Sequence, residues 1–332
     1  TNEELLFSSL FTFILTEVGI ENKSYEEIQA HQSKISGGMG ASIKLQTESS
    51  SKPGSLFLSI SSKCLEENFN HMEALIFDTI QSVRFDEKKR ILDLLNIFVA
   101  RNEESLNQNG HYLAMNSAAS SLNALAATSY HLSGLEMLHR SKEIISKAQL
   151  DGDINNILEI LQSIHSKVSV QPYKIFTACS KDALKNKVEL LAASINQKEQ
   201  RLIENTSTQT AWITGSQVCY CAQAFNGVSR EHPDAAPLSV LATVLRNGFL
   251  HTAIREKGGA YGSGAVNDTS TNTFKFFSYR DPKCTETFQA FQDAITWAKT
   301  SITPQHLEEA ILGVVSSIDK PMSPVGEAKN DF

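Results

Sequence analysis

The sequence contains no run of about 18 uninterrupted apolar residues, so no segment reads as a membrane span. It has no basic run of the kind that tracks a phosphate backbone, and 37 acidic against 30 basic residues leave a net charge of -7. Nucleic acid is therefore excluded as the main partner. Cysteine is sparse, with five residues at irregular spacing (Cys64, Cys179, Cys219, Cys221, Cys284). An odd, scattered set builds no disulfide framework and points to a reducing compartment, cytoplasm or an organelle matrix. Thr1-Asn2-Glu3-Glu4 has neither the basic stretch nor the cleavage site of a secretory leader. The missing initiator Met is what an excised fragment would show.

Catalytic signatures are equally scarce. The nine histidines include no two at a spacing of four, so H-E-x-x-H and H-x-x-E-H are both absent. No G-x-S-x-G, P-loop or dinucleotide fingerprint occurs. His306-Leu307-Glu308-Glu309 lacks a second His or Cys and reads as a solvated first helical turn, and His71 and Glu73 read as surface helix residues. Cys219-x-Cys221 could suggest a metal. Within a strand from Gln217 to Phe225, however, alternate residues share a face, and the pair reads as two buried strand cysteines.

What is present is an ordinary globular composition, 41% hydrophobic and 20% charged over 332 residues, enough for two cores. Leu5, Leu6, Leu10, Phe13, Ile14 and Val18 share a helical face ended by Gly19, and a helix from Tyr25 to Lys34 follows. After Gly37-Gly38 come strands Ala41 to Thr47 and Leu56 to Ser61. A helix capped by Asp86 is next, then helices Leu113 to Ala126, His131 to Ala148 and Ile154 to Lys167.

Val168 to Pro172 reads as a boundary, after which the pattern restarts. The second half holds strand Tyr173 to Cys179, helix Asp182 to Gln197 and an interrupted strand Ala211 to Phe225. Helix Ala235 to Arg255, the turn at Gly258-Gly259, and strands Ala260 to Val266 and Thr273 to Tyr279 follow. Asp281-Pro282 and Thr303-Pro304 read as starts of two closing helices. Helix, Gly-Gly turn, strand, strand, helix pair thus occurs twice. The expected fold class is α+β: two homologous α/β domains, residues 1–168 and 169–332, each a mainly antiparallel sheet with helices on one face.

One segment offers chemistry. Arg255 ends an apolar helix, Gly258-Gly259 allows a tight reversal, and Tyr261 enters the next strand. An Arg fork can hold a carbonyl or carboxylate, and a Tyr hydroxyl can donate to a developing oxyanion. The alternative is structural: Arg255 complements a helix C-terminus and Tyr261 is a half-buried strand aromatic. From the residues alone the structural reading is the stronger.

A resemblance shifts that balance. Ile254 to Gly262 resembles the Arg/Tyr substrate-binding motif in the C-terminal half of insulinase/pitrilysin-family zinc metallopeptidases. Phe277 to Pro282 is similar to a stretch of their presequence-protease branch, as are Leu5 to Ser42 and Ser317 to Pro324, in the same order. The resemblance implies four homologous domains closing around an unfolded peptide. This chain would supply the third and the fourth, without the third's first strands or the fourth's last helices. Arg255 and Tyr261 would bind substrate, with Tyr261 donating to the carbonyl oxygen or oxyanion. The first repeat carries Lys34 and Gly40 in the equivalent neighbourhood and lacks the pair.

It further implies a peptide-degrading zinc metalloendopeptidase whose Zn²⁺ is bound by an N-terminal half of the same polypeptide. The alternatives are a non-catalytic partner subunit or structural relative of this fold, and an unrelated α/β binding module. On the residues alone, the chain is expected to bind no stoichiometric zinc and to cleave no peptide, since no histidines stand at clamp spacing. Elemental analysis finding about one tightly held zinc per chain, or chelator-sensitive turnover, would overturn that expectation.

Overall fold

A computed structural model describes residues 2–46, 55–151, 154–171, 173, 175–179, 210–323 and 325–327. The opening apolar face folds as α1 (Asn2–Leu6) and α2 (Ser8–Leu15) rather than one helix. Phe7 between them is fully buried and nearly helical, so the apolar face continues through it. The helix ends at Leu15, before Gly19, whose amide donates instead to the Glu87 carboxylate at 2.7 Å. In α3 (Tyr25–Ile35) a capping box pairs Ser24 with Glu27. Strands β1 (Met39–Gln46) and β2 (Ser55–Ser62) then form an antiparallel hairpin, with Met39 opposite Ser62.

A short 3₁₀ turn (Glu66–Asn68) leads into α4 (Phe69–Ser82), and α5 (Lys88–Ala119) follows. Asp86 does not cap α5. It pairs with Arg84 at 3.3 Å, while the actual N-cap residue, Glu87, spends its carboxylate on the Gly19 and Tyr25 amides. The backbone of α5 breaks helical geometry at Asn109. The expected helices over 113–126 and 131–148 straddle real breaks. Asn123 caps α6 (Ala124–Ser133) by accepting from Ala126 N, and Gly134 separates α6 from α7 (Leu135–Asp151). With α8 (Asn155–Val168), these helices enclose a core of Phe7, Leu10, Phe11, Leu95, Ile145 and Ile157, all at most 1% exposed. Burying each such side chain contributes about 1.5–3 kcal/mol before conformational entropy is subtracted.

No strand forms among the described residues of 173–179, and the expected helix over 182–197 lies outside the described residues. The strand expected from Ala211 shrinks to β3 (Ala222–Asn226), preceded only by a bridge between Cys219 and Asp281. The long helix expected from Ala235 changes character midway. Ala235–Leu245 is α9, and Arg246–Glu256 is a π-helix. Strands β4 (Gly262–Asp268) and β5 (Thr273–Tyr279) complete an antiparallel sheet in the order β3-β5-β4.

The next helix, α10 (Thr285–Thr300), starts later than Asp281-Pro282 suggested. Asp281 is fully buried and accepts from Lys283 N (2.9 Å) and Thr287 Oγ1 (2.7 Å), so its carboxyl is engaged before the helix begins. By contrast, Thr303 caps α11 (Pro304–Ile318) as its sequence implied, with His306 completing the reciprocal bond.

Side chains alternate across β5. Phe274 and Phe276 join a second core with Leu245, Leu250, Ile254 and Phe291, where the Phe276 and Phe291 rings stack at 5.5 Å. Phe277 and Tyr279 face the opposite way, onto His111 of α5 at 5.5 and 4.7 Å. Among the described residues the fold is mixed helix and sheet with two small antiparallel sheets, in keeping with the expected class. The expectation of helices on one face does not hold for the second sheet, where α5 packs on one face and α10 on the other.

Each half contains a helix, a Gly-Gly turn and an antiparallel hairpin. The second glycine of each turn lies in the left-handed region, Gly38 at φ 101 and Gly259 at φ 87. At Gly258 the constraint is spatial, because a Cβ would sit 2.3 Å from the Ile254 carbonyl oxygen. Ala at either 258 or 259 should destabilise the chain by about 1–3 kcal/mol. Urea unfolding that left both variants at parental stability would show the turn to be unconstrained.

The β4–β5 hairpin is also held by Asp268 and Lys275, 2.7 Å apart. Burial pulls the Asp268 carboxyl upward, but the Lys275 ammonium and bonds from Lys275, Ser270 and Thr271 outweigh it and hold it at about 2, below its ordinary 3.8. A depressed folded pKa contributes stability that is complete above the ordinary value and lost as pH falls towards 2. The shift corresponds to about 2 kcal/mol. Asp268→Asn should therefore lower stability at pH 7 and flatten its acid dependence. An acid-unfolding profile identical to the parent's would rule this out.

Candidate functional site

Arg255 lies in the last turn of the π-helix, whose wider bonding pattern persists to Lys257 N, which donates to Thr252 O at 3.0 Å. π-helical bonding is rare overall and is frequent at functional sites. Here the chain reverses at Gly258-Gly259, and the Ala260 amide returns to Ile254 O at 3.1 Å. Tyr261 stands one residue ahead of β4, which begins at Gly262 and not at Ala260. Its amide donates to Tyr279 O (3.1 Å) and Arg280 O (3.3 Å), which places its side chain beside β5.

The turn brings the two sequence-selected side chains together. The Arg255 guanidinium carbon lies 5.9 Å from the Tyr261 ring centroid, and the Tyr261 side chain projects outward at 67% residue exposure. Arg255 is also exposed, and among the described residues it has no ion-pair partner. The nearby acid, Glu256, sits 3.3 Å from His251 instead. An exposed cation over a tyrosine face contributes about 0.5–1 kcal/mol, enough to bias the arginine's position without consuming its donors.

Around this pair stands an aromatic cluster that local reasoning on the sequence did not identify. The Tyr261 ring meets Tyr279 edge-on at 5.6 Å, and the Arg280 guanidinium carbon is 5.4 Å from the Tyr279 centroid. Tyr279 also touches His111 at 4.7 Å and Tyr220 at 5.8 Å. Tyr220 lies flat on the α5 backbone, where a Cβ at Gly110 would fall 2.5 Å from the ring, and its hydroxyl donates to Asn107 O at 2.7 Å. Burial lowers the His111 pKa, keeping the imidazole neutral against these rings. Alternation on β5 could have flagged Tyr279. No local signal could have flagged His111 or Tyr220.

The remaining sequence candidates disperse. Cys219 is exposed and Cys221 buried, so they are not two buried cysteines on one strand face: Cys219 precedes β3 and is tied to Asp281 through its backbone. Burial pushes the Cys221 thiol up to about 12, far from a reactive thiolate. His306 is absorbed in the α11 cap and packs on Trp297 at 5.3 Å. His71 is exposed on α4, and Lys34 is exposed at the end of α3 with no tyrosine after the first glycine turn. Among the described residues, no group of three or more His, Cys, Asp or Glu side chains could hold a metal ion. Among the same residues, no helix is long and apolar enough to cross a membrane.

Comparison with known proteins shows what the chain is similar to. Residues 1–144 match the family model of the domain associated with peptidase family M16, subfamily C, and residues 211–332 match "PreP C-terminal domain". The mitochondrial presequence protease of Yarrowia lipolytica is 29% identical over 329 residues, covering 96% of this chain and 33% of the relative. That of Drosophila melanogaster is 28% identical over 340 residues, covering 98% and 32%. The chain thus spans about a third of the length of the curated relatives it matches. Among solved structures, a mutant of the ferredoxin protease FusC in complex with Arabidopsis ferredoxin aligns with TM-score 0.55 at 14% identity, over 93% of this chain and 33% of that one. The periplasmic protease PqqL from Escherichia coli aligns with TM-score 0.55 at 14% identity, over 95% and 35%. At such identity these two establish the fold alone. The chain thus joins the associated domain of that peptidase subfamily to a PreP C-terminal domain, and it is similar to presequence proteases along nearly its whole length.

Proposed function

We propose that this chain is the non-zinc, C-terminal half of a peptide-degrading metalloendopeptidase, in which it closes the substrate chamber and holds the peptide backbone. The observation that carries the reading is the exposed Arg255–Tyr261 pair, set on a π-helix and a two-glycine turn, with no ion-pair partner for the arginine among the described residues. Two such groups aimed at solvent add little to folding and suit a ligand.

The division of labour follows from side-chain chemistry. Arg255 donates in-plane N–H bonds to a peptide carbonyl or carboxylate and so fixes the position of the chain. The Tyr261 hydroxyl donates to the scissile carbonyl oxygen, and that bond strengthens as negative charge develops. The zinc of such an enzyme has no donor set among the described residues of this chain, so its ligands are assigned to the N-terminal half of the same polypeptide. That half is the partner we assign, and unfolded peptides are the substrates. The compartment assigned is a reducing organelle matrix, consistent with relatives named as mitochondrial. We assign residues 1–168 to the third domain of such an enzyme and 169–332 to the fourth.

The test is made in the full polypeptide that contains this chain. Tyr261→Phe should lower kcat by roughly 10²–10³-fold with little change in KM, as expected for a lost oxyanion donor. Arg255→Lys keeps the charge but loses the bidentate fork, and should raise KM as well. Parental kcat/KM in both variants would make the pair structural.

A further inference from the structure

Arg280 adopts a backbone conformation that side chains avoid. Its φ is 48, where Cβ crowds the following carbonyl and where glycine or asparagine is the usual occupant. Both flanks hold it there. On one side Tyr261 N donates to the Tyr279 and Arg280 carbonyl oxygens. On the other, Asp281 exchanges two backbone hydrogen bonds with Cys219, at 2.7 and 2.9 Å, and its buried carboxyl is anchored by Lys283 N and Thr287. Folding imposes the conformation, yet nothing in folding requires an arginine side chain there.

That side chain is exposed, and among the described residues it has neither an ion-pair nor a hydrogen-bond partner. Its contact is with a ring, the Tyr279 face at 5.4 Å. Arg255, Tyr261, Tyr279 and Arg280 therefore form a continuous series of cation, ring, ring and cation, linked at 5.9, 5.6 and 5.4 Å. A guanidinium backed by a ring keeps its in-plane donors available, and the partner that fits that fork is a carboxylate.

We propose that Arg280 is a second anion-recognising arm of this site, and that it receives a carboxylate of the bound peptide next to the stretch held by Arg255 and Tyr261. The carboxylate comes from an Asp or Glu side chain or from the peptide's C-terminus. This assignment rests on the peptide-binding reading of Arg255 and Tyr261. It makes Arg280 a determinant of which peptides are held, with no part in bond cleavage.

Fluorescence anisotropy on the intact chain tests it, with four unstructured peptides of one sequence carrying a dye at the N-terminus. They bear Glu or Gln at one internal position and a free or amidated C-terminus. Arg280→Gly should weaken binding of carboxylate-bearing peptides by about tenfold, leave the amidated Gln peptide unaffected, and leave the melting temperature unchanged or raised. Arg280→Lys should recover part of the loss. Whichever single change, Gln or amidation, removes the variant's defect identifies the source of the carboxylate. Arg280→Asn, which tolerates the same backbone, repeats the measurement should the glycine variant melt early.

Parental affinity of folded Arg280→Gly and Arg280→Asn for all four peptides would overturn the assignment, while loss of all four on Arg255→Ala would leave the underlying reading standing. Failure of the parent chain to bind any of the peptides would overturn both.

Discussion

A buried carboxyl group must be met by hydrogen bonds wherever it sits, and Asp281 is completely buried. Lys283 N and the Thr287 hydroxyl meet it, which ties the start of α10 to the end of β5. Its backbone pairs with Cys219, which delivers the chain to β3 on the far side of the same sheet. Between Asp281 and the amide of Tyr261, the residues 279 and 280 have no freedom left, so the Tyr279 ring and the Arg280 backbone are fixed. The aromatic floor of the candidate site thus depends on one carboxyl group with no exposure to solvent. Leaving its partners unsatisfied would cost about 1–3 kcal/mol, a large share of a domain's stability.

The same carboxyl shows why the sequence was legible in some places and opaque in others. Asp281-Pro282 and Thr303-Pro304 look alike as helix starts, and only the second is one. Thr303 stands at the surface, where its hydroxyl has nothing to do but cap, whereas Asp281 is claimed by the interior. Strand β5 was legible to the residue, because alternating aromatics between turn signals are a local pattern. The π-helix was not, because apolar spacing over 235–255 is equally compatible with α-helical bonding. Asn123 carried a cap signal that the run of apolar residues around it concealed.

For the candidate site, Arg255 and Tyr261 were readable from their glycine turn, since two glycines between a helix and a strand dictate a close reversal. His111, Tyr220 and Tyr279 converge from three elements far apart in the chain, and no periodicity encodes that. The two glycine turns make the contrast plain. Gly38 and Gly259 share a left-handed backbone, yet the first turn leads to a two-stranded hairpin flanked by Lys34 and Gly40, with no ring to receive a cation. Backbone geometry recurs in both halves, and the side chains that could bind a ligand occur in one.

Helix α5 gives the arrangement its reference frame. Its first turns place Ile91, Leu94 and Leu95 in the core of one half, and past the bend at Asn109 its remaining turns lie against the sheet of the other. Tyr220 fastens to the helix at that bend, through the Gly110 backbone and the Asn107 carbonyl. The rings beneath Arg255 and Arg280 are thereby indexed to a rod rooted in a different hydrophobic interior, as a gauge is read against a distant datum. A packing defect around Leu95 would therefore reach the cluster through the Asn107 carbonyl that holds Tyr220, on the near side of the bend, with no residue of the cluster altered.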